Sequence, residues 1–102
     1  MTASTVIALG DERDTRFIVQ TIPTDEGTCS QGNDSCGKPG AIAVRNTIDQ
    51  QRPAERSTYR VTLCADHQDG APRMHDLWVA DARKLQDPAT RAKFLAQAAA
   101  TA

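Results

Sequence analysis

Residues 28–40 read TCSQGNDSCGKPG and residues 61–68 read VTLCADHQ. Together they contain all three cysteines of the 102-residue chain and one of its two histidines. The first segment holds two cysteines separated by six residues, and the second holds a cysteine and a histidine separated by two. Three thiolates and one imidazole form a donor set that suits a tetrahedral zinc ion. The predicted ligands of a structural zinc site are Cys29, Cys36, Cys64 and His67.

These two segments flank a predicted β-hairpin. Residues 41–46 (AIAVRN) and 57–64 (STYRVTLC) read as strands, and the second alternates cleanly between apolar and polar positions. If the strands pair antiparallel, Cys36 and Cys64 meet at the open end of the hairpin. Residues 47–56 (TIDQQRPAER) between the strands are polar and contain proline, so we expect them to form an exposed loop.

Further elements extend the sheet and cover it. Residues 4–9 and 16–22 are apolar runs rich in β-branched residues, close enough for a second hairpin. Residues 75–85 are predicted to be helical, and residues 88–100 form an Ala-rich helix that begins after Asp87 as its N-cap. The fold class expected is α+β: a small antiparallel sheet of about four strands, a zinc knuckle at one end and two C-terminal helices.

The long loop over residues 23–40 contains the first cysteine pair. A loop of this length without secondary structure needs something to hold it, and a shared metal at Cys29 and Cys36 would do so. The chain is short, so its core is modest and a structural metal would supplement it. We therefore expect a single zinc-stabilised domain over residues 1–102.

Several alternatives to this zinc site remain open. His75 is a competing fourth ligand, although we expect it at the start of the first helix and facing solvent. The cysteines could also be three reduced thiols without a metal. An Fe–S cluster normally requires four thiolates, and a redox pair normally requires C-x-x-C. Asp66 and Asp69, on either side of His67, are expected to solvate the loop or to accept a hydrogen bond from the imidazole.

The balance of charged residues limits the classes of partner that the protein can bind. With 12 basic and 13 acidic residues the net charge is −1, which argues against bulk electrostatic binding to nucleic acid. Four arginines nevertheless lie close together in the sequence: Arg45, Arg52, Arg56 and Arg60. They are either candidate contacts to nucleic acid or to an acidic partner, or part of a solvated hairpin. The cysteine count is odd, and the sequence begins without the basic and then apolar segment that is typical of a signal peptide. Both features favour a cytoplasmic location.

The pattern C-x6-C-G-K-P-G-A, followed by a strand and then by Y-R-V-T-L-C-A-D-H, resembles small zinc-ribbon or treble-clef-like proteins of actinobacteria and their phages. The resemblance covers residues 29–67 and implies zinc on the three cysteines and His67. It implies no reaction, because this loose grouping shares no activity. The six-residue gap in the first pair and the appended helices depart from the tighter zinc ribbons.

The function expected from these features is non-enzymatic. We expect a regulatory or protein-interaction module, in a phage setting a modulator of a host protein, with Trp78 as a candidate anchor for a protein partner. The alternative is a nucleic-acid-binding zinc-ribbon module that uses the Arg45–Arg60 hairpin. An enzyme with an open zinc would require His67 not to ligate. The sequence contains no HExxH, P-loop or GxSxG motif.

Overall fold

The computed structural model describes residues 2–31 and 36–101, so residues 32–35 of the predicted loop lie outside the described part. Four strands form one antiparallel sheet in the order β1-β2-β3-β4. The strands are β1 (Ala3–Ala8), β2 (Arg16–Pro23), β3 (Ile42–Gln51) and β4 (Ala54–Leu63). A single 3-10 turn at Gln68–Gly70 leads into α1 (Ala71–Lys84), and α2 spans Pro88–Thr101. The α+β architecture expected from the sequence is confirmed.

The turn between β1 and β2 is held by one carboxylate. The Thr15 backbone N–H donates to Asp11 Oδ1 at 2.8 Å, and the Thr15 hydroxyl donates to Asp11 Oδ2 at 2.9 Å. Burial opposes ionisation of Asp11, but these hydrogen bonds lower its pKa below the ordinary value. The turn closes with the Leu9 N–H bonded to Thr15 O at 2.9 Å, so the predicted first hairpin is confirmed.

The core lies between one face of the sheet and α1. Alternate residues of the strands point towards this helix, as the period of two requires. The most deeply buried side chains include Val19 on β2, Val44 on β3 and Leu63 at the end of β4. Two of the predicted ligands, Cys29 and Cys64, belong to the same buried cluster. The candidate site is therefore continuous with the hydrophobic core.

The β3–β4 hairpin is longer than predicted. Residues 47–56 are not a loop: the strands continue to a tight turn at Arg52–Pro53, whose peptide bond is cis. The polar residues fit because one face of an antiparallel sheet can remain in contact with water. On that face the buried Asp49 carboxylate is 2.5 Å from Arg16 and 3.7 Å from Arg56.

His75 is buried, so the expectation that it faces solvent is wrong. Only 6% of the residue is exposed, and both ring nitrogens have hydroxyl partners. Its Nε2 lies 3.1 Å from Thr5 Oγ1, and its Nδ1 lies 2.8 Å from Thr21 Oγ1. The physical reason is that α1 begins about one turn earlier than predicted, so that Ala71, His75 and Ala82 form the stripe that faces the sheet.

The second helix begins as predicted, and polar contacts attach it to the turn after β1 and to the end of α1. The Thr90 backbone N–H and hydroxyl donate to Asp87 Oδ2 at 3.0 and 2.8 Å, which confirms Asp87 as the N-cap. Arg91 Nη1 donates to Leu9 O and Leu85 O, both at 3.0 Å.

Within residues 2–31 and 36–101, no helix combines the length and apolar composition needed to cross a bilayer.

Candidate metal centre

The β3–β4 hairpin brings the two cysteine-containing segments to the same end of the sheet. Ile42 at the start of β3 pairs with Leu63 at the end of β4. The Ala41 N–H donates to Leu63 O at 2.8 Å, and the Ser30 N–H donates to Thr62 O at 2.9 Å. The loop before β3 is therefore bonded along the end of β4, as the spacing of the cysteines predicts.

The first cysteine pair lies on a small hairpin of its own. Thr28 and Pro39 form an antiparallel bridge, and the Cys29 N–H donates to Lys38 O at 2.8 Å. Gly37, just after Cys36, adopts a φ of +62°, a left-handed conformation that glycine accepts without a steric penalty. The Cys36 sulfur lies close to that of Cys64, which follows β4.

The second pair is delivered by the turn that follows β4. The His67 N–H donates to Cys64 O at 3.1 Å, which folds the histidine back over the strand end. His67 Nδ1 lies 3.2 Å from Cys64 Sγ and 3.4 Å from Cys29 Sγ, and the Sγ atoms of Cys36 and Cys64 are 3.8 Å apart. The four donor atoms all lie within 4.8 Å of one another, and the cysteines are free thiols. The cluster could hold a metal ion.

Hydrogen bonds favour the thiolate form of Cys29. Burial raises the pKa of this thiol, but the backbone N–H groups of Gln31 and Cys64 donate to its sulfur and act in the opposite direction. The His67 side chain adds a further favourable contact, and the pKa of Cys29 falls to about 6. A thiolate is the form that binds a metal.

The pKa of Cys36 reflects the close approach of three sulfurs. The Lys38 backbone N–H donates to its sulfur and favours the thiolate, but burial and the neighbouring Cys29 and Cys64 outweigh this, and the pKa of Cys36 is raised above its ordinary value. Adjacent thiolates repel one another, so the three cannot all ionise easily without a compensating charge. A cation between them would supply that charge.

An ion pair that the sequence analysis did not anticipate connects the two loops. Lys38 Nζ lies 2.5 Å from Asp66 Oδ2. Lys38 comes two residues after Cys36, and Asp66 comes one residue before His67. The hydrogen bond raises the pKa of Lys38 and lowers that of Asp66. Asp66 therefore pairs across the loops with Lys38. Both side chains are exposed, so the pair contributes little to stability by itself.

A glycine beside the centre has no room for a side chain. A Cβ at Gly40 would overlap the Cγ2 methyl of Thr62 and lie 2.8 Å from Glu26 O. Gly40→Ala is expected to lower the free energy of unfolding by about 1–3 kcal/mol, because the backbone must shift. Urea denaturation measures this change. The control is Gly70→Ala, whose Cβ would lie 3.9 Å from Leu63 Cδ1 in ordinary contact. Equal stability of both variants would contradict the close approach.

The predicted arginines do not form one cluster. Arg45 and Arg60 are direct cross-strand partners on the sheet face opposite α1, and Arg56 lies on the same face. Arg52 lies at the β3–β4 turn, where it forms an ion pair with Asp14. Sequence reasoning missed Arg16, which lies on the same sheet face as Arg45, Arg56 and Arg60. The alternation of residues along β2 could have placed it there.

The candidate anchor Trp78 lies on α1 and is half-buried. Its ring is 5.7 Å from that of Tyr59 on β4, with the two planes tilted by 53°, and Tyr59 itself is 66% exposed. Aromatic pairs in this arrangement attract one another beyond the area they bury. The pair forms a partly exposed aromatic surface beside the β4 edge, and the role of Trp78 as an anchor stays a prediction.

No protein-family model, curated protein or solved structure matches this chain.

Proposed function

We propose that this protein is a small, non-enzymatic interaction module whose fold is stabilised by one structural zinc ion. The observation that carries this proposal is the convergence of four donor atoms within 4.8 Å, from two segments that a hairpin separates. Three sulfurs and one imidazole nitrogen favour zinc over the harder cations that bind oxygen. The ligands are Cys29, Cys36, Cys64 and His67.

Three of the six donor–donor distances in the cluster are close to those around a tetrahedral zinc ion. With a Zn–S bond of about 2.3 Å, two sulfurs at tetrahedral positions lie about 3.8 Å apart. The Sγ atoms of Cys36 and Cys64 are 3.8 Å apart. A sulfur and a nitrogen at such positions lie about 3.5 Å apart, and His67 Nδ1 is 3.2 and 3.4 Å from its two sulfur neighbours.

The donor count supports a structural role for the ion. Four protein ligands complete a tetrahedral shell, whereas catalytic zinc sites keep one position for water or substrate. Two of the ligands, Cys29 and Cys64, are also buried in the hydrophobic core, so the metal and the core would stabilise each other. The order of knuckle loop, hairpin and helix is also consistent with a treble-clef-like assignment.

A second candidate is a nucleic-acid-binding module. The observation in its favour is that Arg45, Arg56 and Arg60 lie on one sheet face, where they could contact phosphates. The net charge of −1 works against it, because non-specific binding to nucleic acid relies on a positive surface.

Native mass spectrometry of the protein purified without chelator tests the zinc assignment. We expect one zinc ion per chain, and the same stoichiometry in the matched variant Asp69→Asn, because Asp69 is exposed and outside the four-residue cluster. His67→Ala should release zinc at a much lower chelator concentration. A folded wild-type protein without metal would refute the proposal.

A further inference from the structure

The sheet face opposite α1 carries three ordered rows of side chains. The strand register places residues side by side across the sheet, and α1 packs on the other face. From β1 to β4 the rows are Ser4–Gln20–Arg45–Arg60, Val6–Ile18–Thr47–Thr58 and Ala8–Arg16–Asp49–Arg56. We call this the open face. It carries four arginines and one aspartate in a protein whose net charge is −1.

In the last row one carboxylate lies between two arginines. Asp49 is 6% exposed and lies within ion-pair distance of both Arg16 and Arg56. Because of these arginines its pKa is lowered despite its burial. Both arginines of this row therefore already have an acidic neighbour.

The first row is different. Arg45 and Arg60 are directly opposite each other on adjacent strands, an arrangement in which like charges destabilise a sheet. Arg45 Nε donates to Gln20 Oε1 at 2.8 Å, and Arg60 Nη2 donates to Thr24 Oγ1 at 2.8 Å. These acceptors are neutral. Among residues 2–31 and 36–101, no carboxylate lies within ion-pair distance of either arginine, so the fold leaves two adjacent cations uncompensated.

An apolar patch lies next to these cations. Val6 and Ile18 are cross-strand partners in the middle row, and Val6 is 57% exposed. None of the three rows of the open face contains an aromatic residue. Tyr59 of β4 belongs to the opposite face. Bases of single-stranded nucleic acid stack on aromatic side chains, and a phosphate backbone gains nothing from valine and isoleucine. Carboxylates beside aliphatic side chains match the surface better.

We infer that the open face binds an acidic segment of a partner protein, with its carboxylates on Arg45 and Arg60 and its aliphatic side chains on Val6 and Ile18. The guanidinium group matches a carboxylate in a bidentate geometry, and arginine is enriched in protein interfaces. The inference rests on the proposed role as an interaction module, and it names the surface and the chemistry of the partner.

The test uses a synthetic ten-residue peptide of alternating glutamate and valine. Titrated into the ¹⁵N-labelled zinc protein, it should shift the amide signals of Val6, Ile18, Arg45 and Arg60. A glutamine–valine peptide of the same length should not. The double variant Arg45→Gln/Arg60→Gln should bind the acidic peptide at least tenfold more weakly. Arg83→Gln, an exposed arginine on α1, is the matched control and should bind like wild type.

Three results would overturn the inference: no shifts with the acidic peptide, shifts confined to another surface, or equal binding by the double variant. Tighter binding of a 20-nucleotide single-stranded or duplex DNA that requires Arg45 and Arg60 would also overturn it, in favour of nucleic acid. Native mass spectra of the same samples separate the two proposals. Zinc-loaded protein that fails to bind refutes this surface alone, whereas folded protein without zinc refutes the proposed function.

Discussion

Cys64→Ser is expected to abolish the cooperative thermal unfolding of the purified protein. Cys64 is 2% exposed and is both a core residue and a member of the four-residue cluster. Structural zinc contributes an apparent binding free energy of roughly 10–16 kcal/mol in small zinc domains, which appears directly as folding free energy. This matches or exceeds the whole stability of a typical domain, about 5–15 kcal/mol. Circular dichroism followed during heating measures the transition.

Chelation provides the same test without a mutation. Removing the metal from the wild-type protein should abolish the transition, and adding back zinc, but not magnesium, should restore it, because magnesium prefers oxygen ligands. The control Asp69→Asn keeps the four donors and should melt like wild type. A cooperative transition that survives in Cys64→Ser within a few degrees of wild type would show that the core folds without the metal.

The cluster of three cysteines and His67 was predictable because its geometry is local. Cys36 precedes β3 and Cys64 follows β4, so an antiparallel pairing of these strands is enough to bring both sulfurs together. The turn from Cys64 to His67 comprises only four residues and leaves little freedom for the imidazole. Ligand spacing and strand pairing therefore determine the site without any knowledge of the remaining fold.

Buried polar residues were not predictable from local pattern. Asp49 reads as part of a polar loop, yet it is buried because Arg16, which is 33 residues away in the chain, lies opposite it in the β2–β3 register. The length of the hairpin over residues 47–56 follows from such pairings. A polar side chain can be buried only when its partner is in place, and a partner on another strand is invisible in a short window.

The two histidines show the same contrast: the position of His67 was predictable from local spacing, whereas the burial of His75 was not. His75→Ala is expected to lower the free energy of unfolding by about 2–3 kcal/mol while one zinc ion remains bound. The loss has two physical sources: a cavity beneath α1, and two hydroxyl groups, on Thr5 and Thr21, that lose their ring partner. Thr21 is 2% exposed, so water cannot easily replace the lost hydrogen bond. Urea denaturation under saturating zinc gives the change in stability, and native mass spectrometry gives the stoichiometry.

The matched variants separate a core histidine from a ligand. His75→Asn retains a polar atom close to the Nδ1 position and should recover part of the lost stability through Thr21. His67→Ala should differ from His75→Ala by losing zinc: it removes a donor whose nitrogen lies 3.2 Å from Cys64 Sγ, so zinc affinity falls, and the stability that zinc supplies falls with it. If His75→Ala lost zinc and His67→Ala kept it, His75 would be the fourth ligand. α1 would then have to turn its buried stripe away from the sheet, and the hydrogen bonds to Thr5 and Thr21 could not exist in the zinc-bound protein.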